Sequence, residues 1–132
     1  MSLPQLNVYR RDRLSRTLIT LAGEIDLETA PLVSASLCAC LYEGVRTIDV
    51  DLTAVTFCDV SGLNAFLRTS EQATRAGGTL RLHHPPRSLR RILTLTGCVF
   101  LLNGRPASTG AGTPASQSPV PQPPAPLSAG PR

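Results

Sequence analysis

The 132-residue chain has no lysine, no tryptophan, and only two tyrosines and three phenylalanines. All 13 basic residues are arginines, which points to a GC-rich coding genome rather than to a particular chemistry. With a net charge of only +4, no concentrated basic stripe and few rings to stack on bases, nucleic-acid binding is not expected. No apolar run approaches the roughly twenty residues that span a bilayer. The opening MSLPQLNVYRRDR lacks the charged-then-apolar order of a signal peptide. A soluble cytoplasmic protein without direct membrane insertion is the expectation.

Metal and cofactor signals are missing too. Cys38 and Cys40 stand two apart on a predicted helix and so face different directions, while Cys58 and Cys98 stand alone in or beside strands. That spacing matches no zinc pattern, and the cysteines read as small apolar residues in a reducing compartment. His83 and His84 are adjacent at a strand end, where neighbouring side chains point to opposite faces, so joint chelation is not expected. No Gly-rich phosphate loop is present, and neither histidine belongs to a motif with Ser61. An enzyme is not expected, and no cofactor or metal is called for.

What the chain does have is a sharp change of period. In residues 47–53, Ile48, Val50 and Leu52 alternate with Thr47, Asp49, Asp51 and Thr53, the two-residue period of a strand with one wetter face. From Leu63 the spacing becomes three and four, through Phe66, Leu67 and Ser70, predicting an amphipathic helix to about Ala76 with Gly77 and Gly78 as its stop. Between them lies the turn Cys58-Asp59-Val60-Ser61-Gly62. A helix that starts at a strand's carboxyl end aims unpaired N–H groups and its positive dipole end at the loop, which favours negative charge. Two readings stand: the turn holds an anion or a phosphorylated hydroxyl, or Asp59 or Ser61 caps the helix, with Gly62 allowing close approach. Capping is the commoner use of such residues.

In chain order, residues 6–10 and 17–22 read as a hairpin around the charged turn Arg11-Asp12-Arg13. Residues 23–27 form a polar loop carrying Glu24 and Asp26, and Thr29 with Pro31 marks a helix start. That helix runs to about Tyr42 with Val33, Leu37 and Leu41 in an apolar row and Gly44 as terminator. Residues 79–83 form a further strand, ended by Pro85 and Pro86, which prepare a third helix. On it Leu89, Ile92, Leu93 and Thr96 share a face, while Arg87, Arg90 and Arg91 lie elsewhere, on a solvated face or against an acidic partner. Gly97 closes this helix and residues 98–102 read as a last strand. The sum is an α/β protein with a mixed five-stranded sheet, an antiparallel hairpin at one edge, and helices mainly on one face. Eight of the twelve prolines lie in residues 104–132, a nearly uncharged stretch expected to be a disordered tail after a domain of residues 1–103.

Two segments carry a family resemblance. The run DLTAVTFCD followed by Asp59-Val60-Ser61-Gly62-Leu63, together with LAGEIDLETA at residues 21–30, resembles the STAS domain of bacterial anti-sigma factor antagonists, whose hallmarks are an Asp-Ser-Ser-Gly-Leu turn and a Gly-Glu-Leu-Asp motif. The resemblance covers residues 5–103. It implies a protein that binds an anti-sigma factor of kinase-like ATP-binding fold and so regulates sigma-factor-dependent transcription. The partner-binding residues it implies are Asp26, Thr29, Asp59, Val60, Ser61, Gly62, Leu63 and Asn64, with Phe66 beside them; Leu63 and Phe66 also fit the core. In such antagonists the phosphoryl acceptor follows the motif's aspartate, a position held here by Val60, which has no hydroxyl. An antagonist permanently competent to bind, a shifted acceptor at Ser61, and control located elsewhere all remain open. The resemblance also admits a soluble STAS subunit of a membrane lipid transporter or a part in a stress-sensing assembly.

Overall fold

The computed structural model describes residues 6–104 and four residues near the carboxyl terminus. Strands β1 (Leu6–Asp12) and β2 (Arg16–Ile25) form the antiparallel hairpin, in a register that pairs Asp12 with Thr17 and Leu6 with Gly23. Helix α1 (Ala30–Tyr42) then leads to β3 (Thr47–Cys58), and helix α2 (Val60–Arg75) leads to β4 (Thr79–His83). The sheet order is β1-β2-β3-β4, with β2, β3 and β4 parallel. Each parallel neighbour is therefore reached through one helix, the connection that parallel pairing demands.

Alternation in the strands decides which side the helices cover. Ile19 and Leu21 of β2, Ile48, Val50 and Leu52 of β3, and Leu80 and Leu82 of β4 share one core with Val33, Leu37 and Cys40 of α1 and with Leu63 and Phe66 of α2. Helix α3 (Arg87–Thr96) adds Leu89 and Leu93. Burying a side chain such as Phe66, Leu37 or Ile48 contributes roughly 1.5–3 kcal/mol, so this one layer of apolar contacts is the main source of the fold's stability. The opposite face carries Asp49, bonded at 2.9 Å to Nε of Arg16 and at 2.9 Å to Nε2 of His83. Those bonds tie β2, β3 and β4 together on the face turned away from α1 and α2. Arg87, Arg90 and Arg91 are exposed, as a solvated helix face requires.

The sheet has four strands rather than the five expected. Residues 98–102 do not form a strand: Gly97 takes a left-handed conformation (φ 74°), Cys98 N–H bonds back to Leu93 O, and helix α4 (Phe100–Asn103) follows. A short apolar run has no periodicity that separates strand from helix. Here Leu101 alone is fully buried, and one buried residue per helical turn is enough to seat the segment against the core. The segment read as a loop at residues 23–27 also differs, because β2 continues through Gly23 and Glu24 to Ile25, its register with β3 shifting at both Thr20/Ala22 and Gly23/Glu24. Such shifts let a strand run on while reorienting its side chains.

His84 corrects another expectation. It lies past the end of β4 with φ 54°, and the turn brings it to the same hollow as His83, beside Asp49 and Asp51, rather than to the opposite face. The cysteines divide: Cys40 and Cys58 are buried, whereas Cys38 is exposed on α1 and Cys98 is half-buried, all with free thiols. Near the carboxyl terminus two short strands, β5 (Leu127–Ser128) and β6 (Gly130–Pro131), pair antiparallel. The tail expected over residues 104–132 lies, apart from Gly104 and those four residues, outside the described residues.

Candidate partner-binding site

The carboxyl ends of β2 and β3 are aligned, with Ile25 opposite Cys58. Each strand passes directly into a helix there, and the two turns are built differently. After β2, the Asp26 carboxylate accepts from Glu28 N–H at 3.0 Å and from Thr29 N–H at 3.1 Å. Thr29 answers: its Oγ1 accepts from Asp26 N–H and donates to Glu24 O, both at 2.9 Å. Thr29 is buried, so this turn satisfies itself and offers its hydroxyl to nothing outside.

After β3 the turn is shorter. Asp59 has extended backbone and caps α2, its Oδ1 accepting from Ser61 N–H at 2.8 Å. Gly62 N–H and Leu63 N–H donate to Asp59 O at 3.1 and 3.2 Å. Capping is therefore the use the chain makes of Asp59, and the carboxylate already occupies the positive end of the α2 dipole. What sequence spacing placed in a loop is the first helical turn, Val60-Ser61-Gly62, which begins three residues earlier than Leu63 because the cap is Asp59.

Beneath this turn the packing is tight. A Cβ on Gly62 would lie 2.5 Å from Cys58 Sγ and 2.6 Å from Ile25 Cγ2, so glycine here serves the close approach of helix and strand ends from within. Asp59 N–H bonds Ile25 O at 3.1 Å, and Cys58 N–H donates to Ser88 Oγ at 3.0 Å, linking the strand ends to each other and to α3. Burial, with the nearby Asp59 carboxylate adding to it, pushes the Cys58 thiol up to about 12. It is a packing group, not a nucleophile.

The outer surface is made by few residues. Val60 is 53% exposed at the first position of α2, Asn64 is exposed and Ser61 half-exposed, whereas Gly62 and Leu63 are buried and Phe66 is wholly inside. Of the residues proposed from sequence, Asp26 and Thr29 shape one turn, Asp59, Gly62 and Leu63 shape the other, and Val60, Ser61 and Asn64 face out. Two kinds of residue escaped the sequence reading. Leu27 is 78% exposed beside Asp26, and Phe57, near the end of β3, is 43% exposed. In addition, a groove of about 430 Å³ runs between α1 and α2, with Leu27, Pro31 and Ser34 on one wall and Ser61, Asn64 and Arg68 on the other. Leu27 carried a signal: an apolar residue set between Asp26 and Glu28, outside any periodic pattern, has no place in the core.

Comparison with known proteins places this geometry. Residues 10–101 match the family model described as "Mlab, STAS domain". The anti-sigma-B factor antagonist of Bacillus subtilis (strain 168) is 27% identical over 105 residues, which is 80% of this chain and 95% of that protein. The crystal structure of an anti-sigma factor antagonist from Mycobacterium paratuberculosis is similar with a TM-score of 0.61 and 26% identity, covering 76% of this chain and 86% of the other. The Bacillus cell fate determinant SpoIIAA in its phosphorylated form shares the fold, with a TM-score of 0.60 and 20% identity over 70% of this chain and 85% of that one. With a family model spanning the sheet, its crossover helices and both strand-to-helix turns, the chain belongs to the STAS domain family.

Proposed function

We propose that this protein is an anti-sigma factor antagonist that binds without a phosphorylation switch. Its partner would be an anti-sigma factor of kinase-like ATP-binding fold, held by the surface where Val60, Ser61 and Asn64 meet Leu27 and the groove between α1 and α2. The observation that carries this reading is Val60 itself. An exposed valine stands on the first turn of α2, where the family resemblance puts the acceptor hydroxyl, and its side chain offers apolar contact and nothing to phosphorylate.

The charge logic runs through the same turn. A phosphoryl group there would add about two negative charges to a surface fitted to a neutral partner. Without a hydroxyl at Val60, the antagonist stays in its binding form. Ser61 stands one position further along the helix, so a role for it as acceptor would be a shift of register. The function is binding rather than catalysis, in the cytosol where a sigma factor and its inhibitor meet. Among the described residues no helix is long and apolar enough to cross a membrane.

The absence of an acceptor also favours a second reading, a soluble STAS subunit of a membrane lipid transporter, which needs no phosphoserine. Affinity capture from the native cells separates the two. Co-purification of a kinase-like anti-sigma factor supports the antagonist; recovery of transporter subunits with an ATPase supports the alternative and removes the first.

A further inference from the structure

The amino ends of the strands form a second surface whose composition is scattered in sequence and gathered by the fold. The β1–β2 turn, the loop after α1 and the loop after α2 all lie there: Arg16 pairs with Thr47, and Thr79 N–H donates to Arg46 O at 2.8 Å. Arg11, Arg13, Arg46 and Arg75 are exposed at this end. Of the acids near it, Asp12 and Glu43 are both engaged by Arg10, at 2.9 and 2.7 Å, Asp49 engages Arg16 at 2.8 Å, and Glu71 stands one helical turn before Arg75 on α2. Among the described residues no ion pair engages the other four arginines. Leu14 stands at the tip of the hairpin, fully exposed between Arg13 and Ser15, and Tyr42, at the last turn of α1, is 95% exposed.

An exposed leucine at the same end as four guanidinium groups that make no ion pair among the described residues has a specific complement. Nucleic acid would answer the charge but leave Leu14 in water, with a single tyrosine to stack on. An anionic bilayer answers both, since lipid phosphates meet the arginines while leucine and tyrosine enter the boundary of headgroups and acyl chains. We propose that this end of the domain docks peripherally on an anionic membrane surface. The Val60 surface lies at the other end of β3, roughly 35 Å away for a strand of this length, so a protein partner and a membrane can be held at once.

The test is co-sedimentation of the full chain with vesicles of phosphatidylglycerol and phosphatidylcholine, against vesicles of phosphatidylcholine alone. Binding to the anionic vesicles is expected, weakening as salt is added. Each of Arg11→Gln, Arg13→Gln and Arg46→Gln should lower the partition coefficient about fivefold, and Leu14→Ser about tenfold. Arg90→Gln, the same charge change on α3, should leave it unchanged, and unfolding curves of all five variants should match the parent because the altered side chains are exposed. Equal retention by neutral vesicles, no retention by either kind, an effect of Arg90→Gln as large as the others, or tight binding of duplex DNA or RNA without vesicle binding would each overturn the proposal.

Discussion

The two strand-to-helix turns at the carboxyl end of the sheet use the same residue types to opposite ends. After β2, Asp26 and Thr29 spend their hydrogen-bonding capacity on one another's backbone and on Glu24 O, and the hydroxyl is sealed. After β3, a single bond from Ser61 N–H to Asp59 caps the helix, and the next side chain, Val60, projects outward. One turn is built to be rigid and the other to be read. The difference comes from length: two residues separate Asp26 from Thr29, room for a reciprocal bond, whereas α2 begins immediately after Asp59 and leaves its first residue at the surface.

Changes to each turn should separate these roles. The largest effect belongs to the floor of the second turn. The Cys58 thiol is raised from an ordinary value of 9.0 to about 12, so the folded state holds its proton more tightly than the unfolded state does. Stability from this group is complete below about pH 9 and is lost as pH rises toward 12, on the order of 4 kcal/mol in all. Urea denaturation at several alkaline pH values should show that slope, and Cys58→Ala should flatten it. The floor of the first turn is Ile25, which does not titrate.

Next comes Gly62→Ala. The added methyl meets Cys58 Sγ and Ile25 Cγ2, and a cost of about 2–3 kcal/mol is expected by thermal or urea unfolding. Thr29→Val should cost about 1–2 kcal/mol, because it deprives Asp26 N–H and Glu24 O of the buried hydroxyl that pairs with both, without disturbing the shape of the turn. Asp59→Ala, by contrast, removes one cap bond that water can replace and should cost about 1 kcal/mol. If Asp59→Ala proves costlier than Thr29→Val, the assignment of rigid and readable turns is reversed.

Much of this was legible in the sequence because hydrophobic period reports burial. The alternation around Ile48, Val50 and Leu52 located β3, and the row Val33, Leu37 and Leu41 located α1, since both patterns arise from one-sided packing against the same core. Residues 98–102 escaped because five apolar residues fit a strand or a helical turn equally well; only the left-handed Gly97 and the place of Leu101 in the core decide it. Among the site residues, Asp59 was legible as a cap, while the inward role of Gly62 was not, since glycine's use depends on what lies beneath it and Cys58 and Ile25 come from two different strands. The groove wall at Ser34 and Arg68 escaped for a similar reason. Neither position departs from its helix's pattern, and only the packing of α1 beside α2 brings them together.

The most direct test of the central claim is to mix the protein with an anti-sigma factor of kinase-like fold and ATP, following the complex by size-exclusion chromatography and phosphate by mass spectrometry. The account predicts that the complex persists with no phosphate on the parent chain, that Ser61→Ala changes affinity by no more than about 1 kcal/mol, and that Val60→Ser acquires phosphate and leaves the complex. Phosphate appearing on Ser61 of the parent, together with loss of the complex, would contradict it.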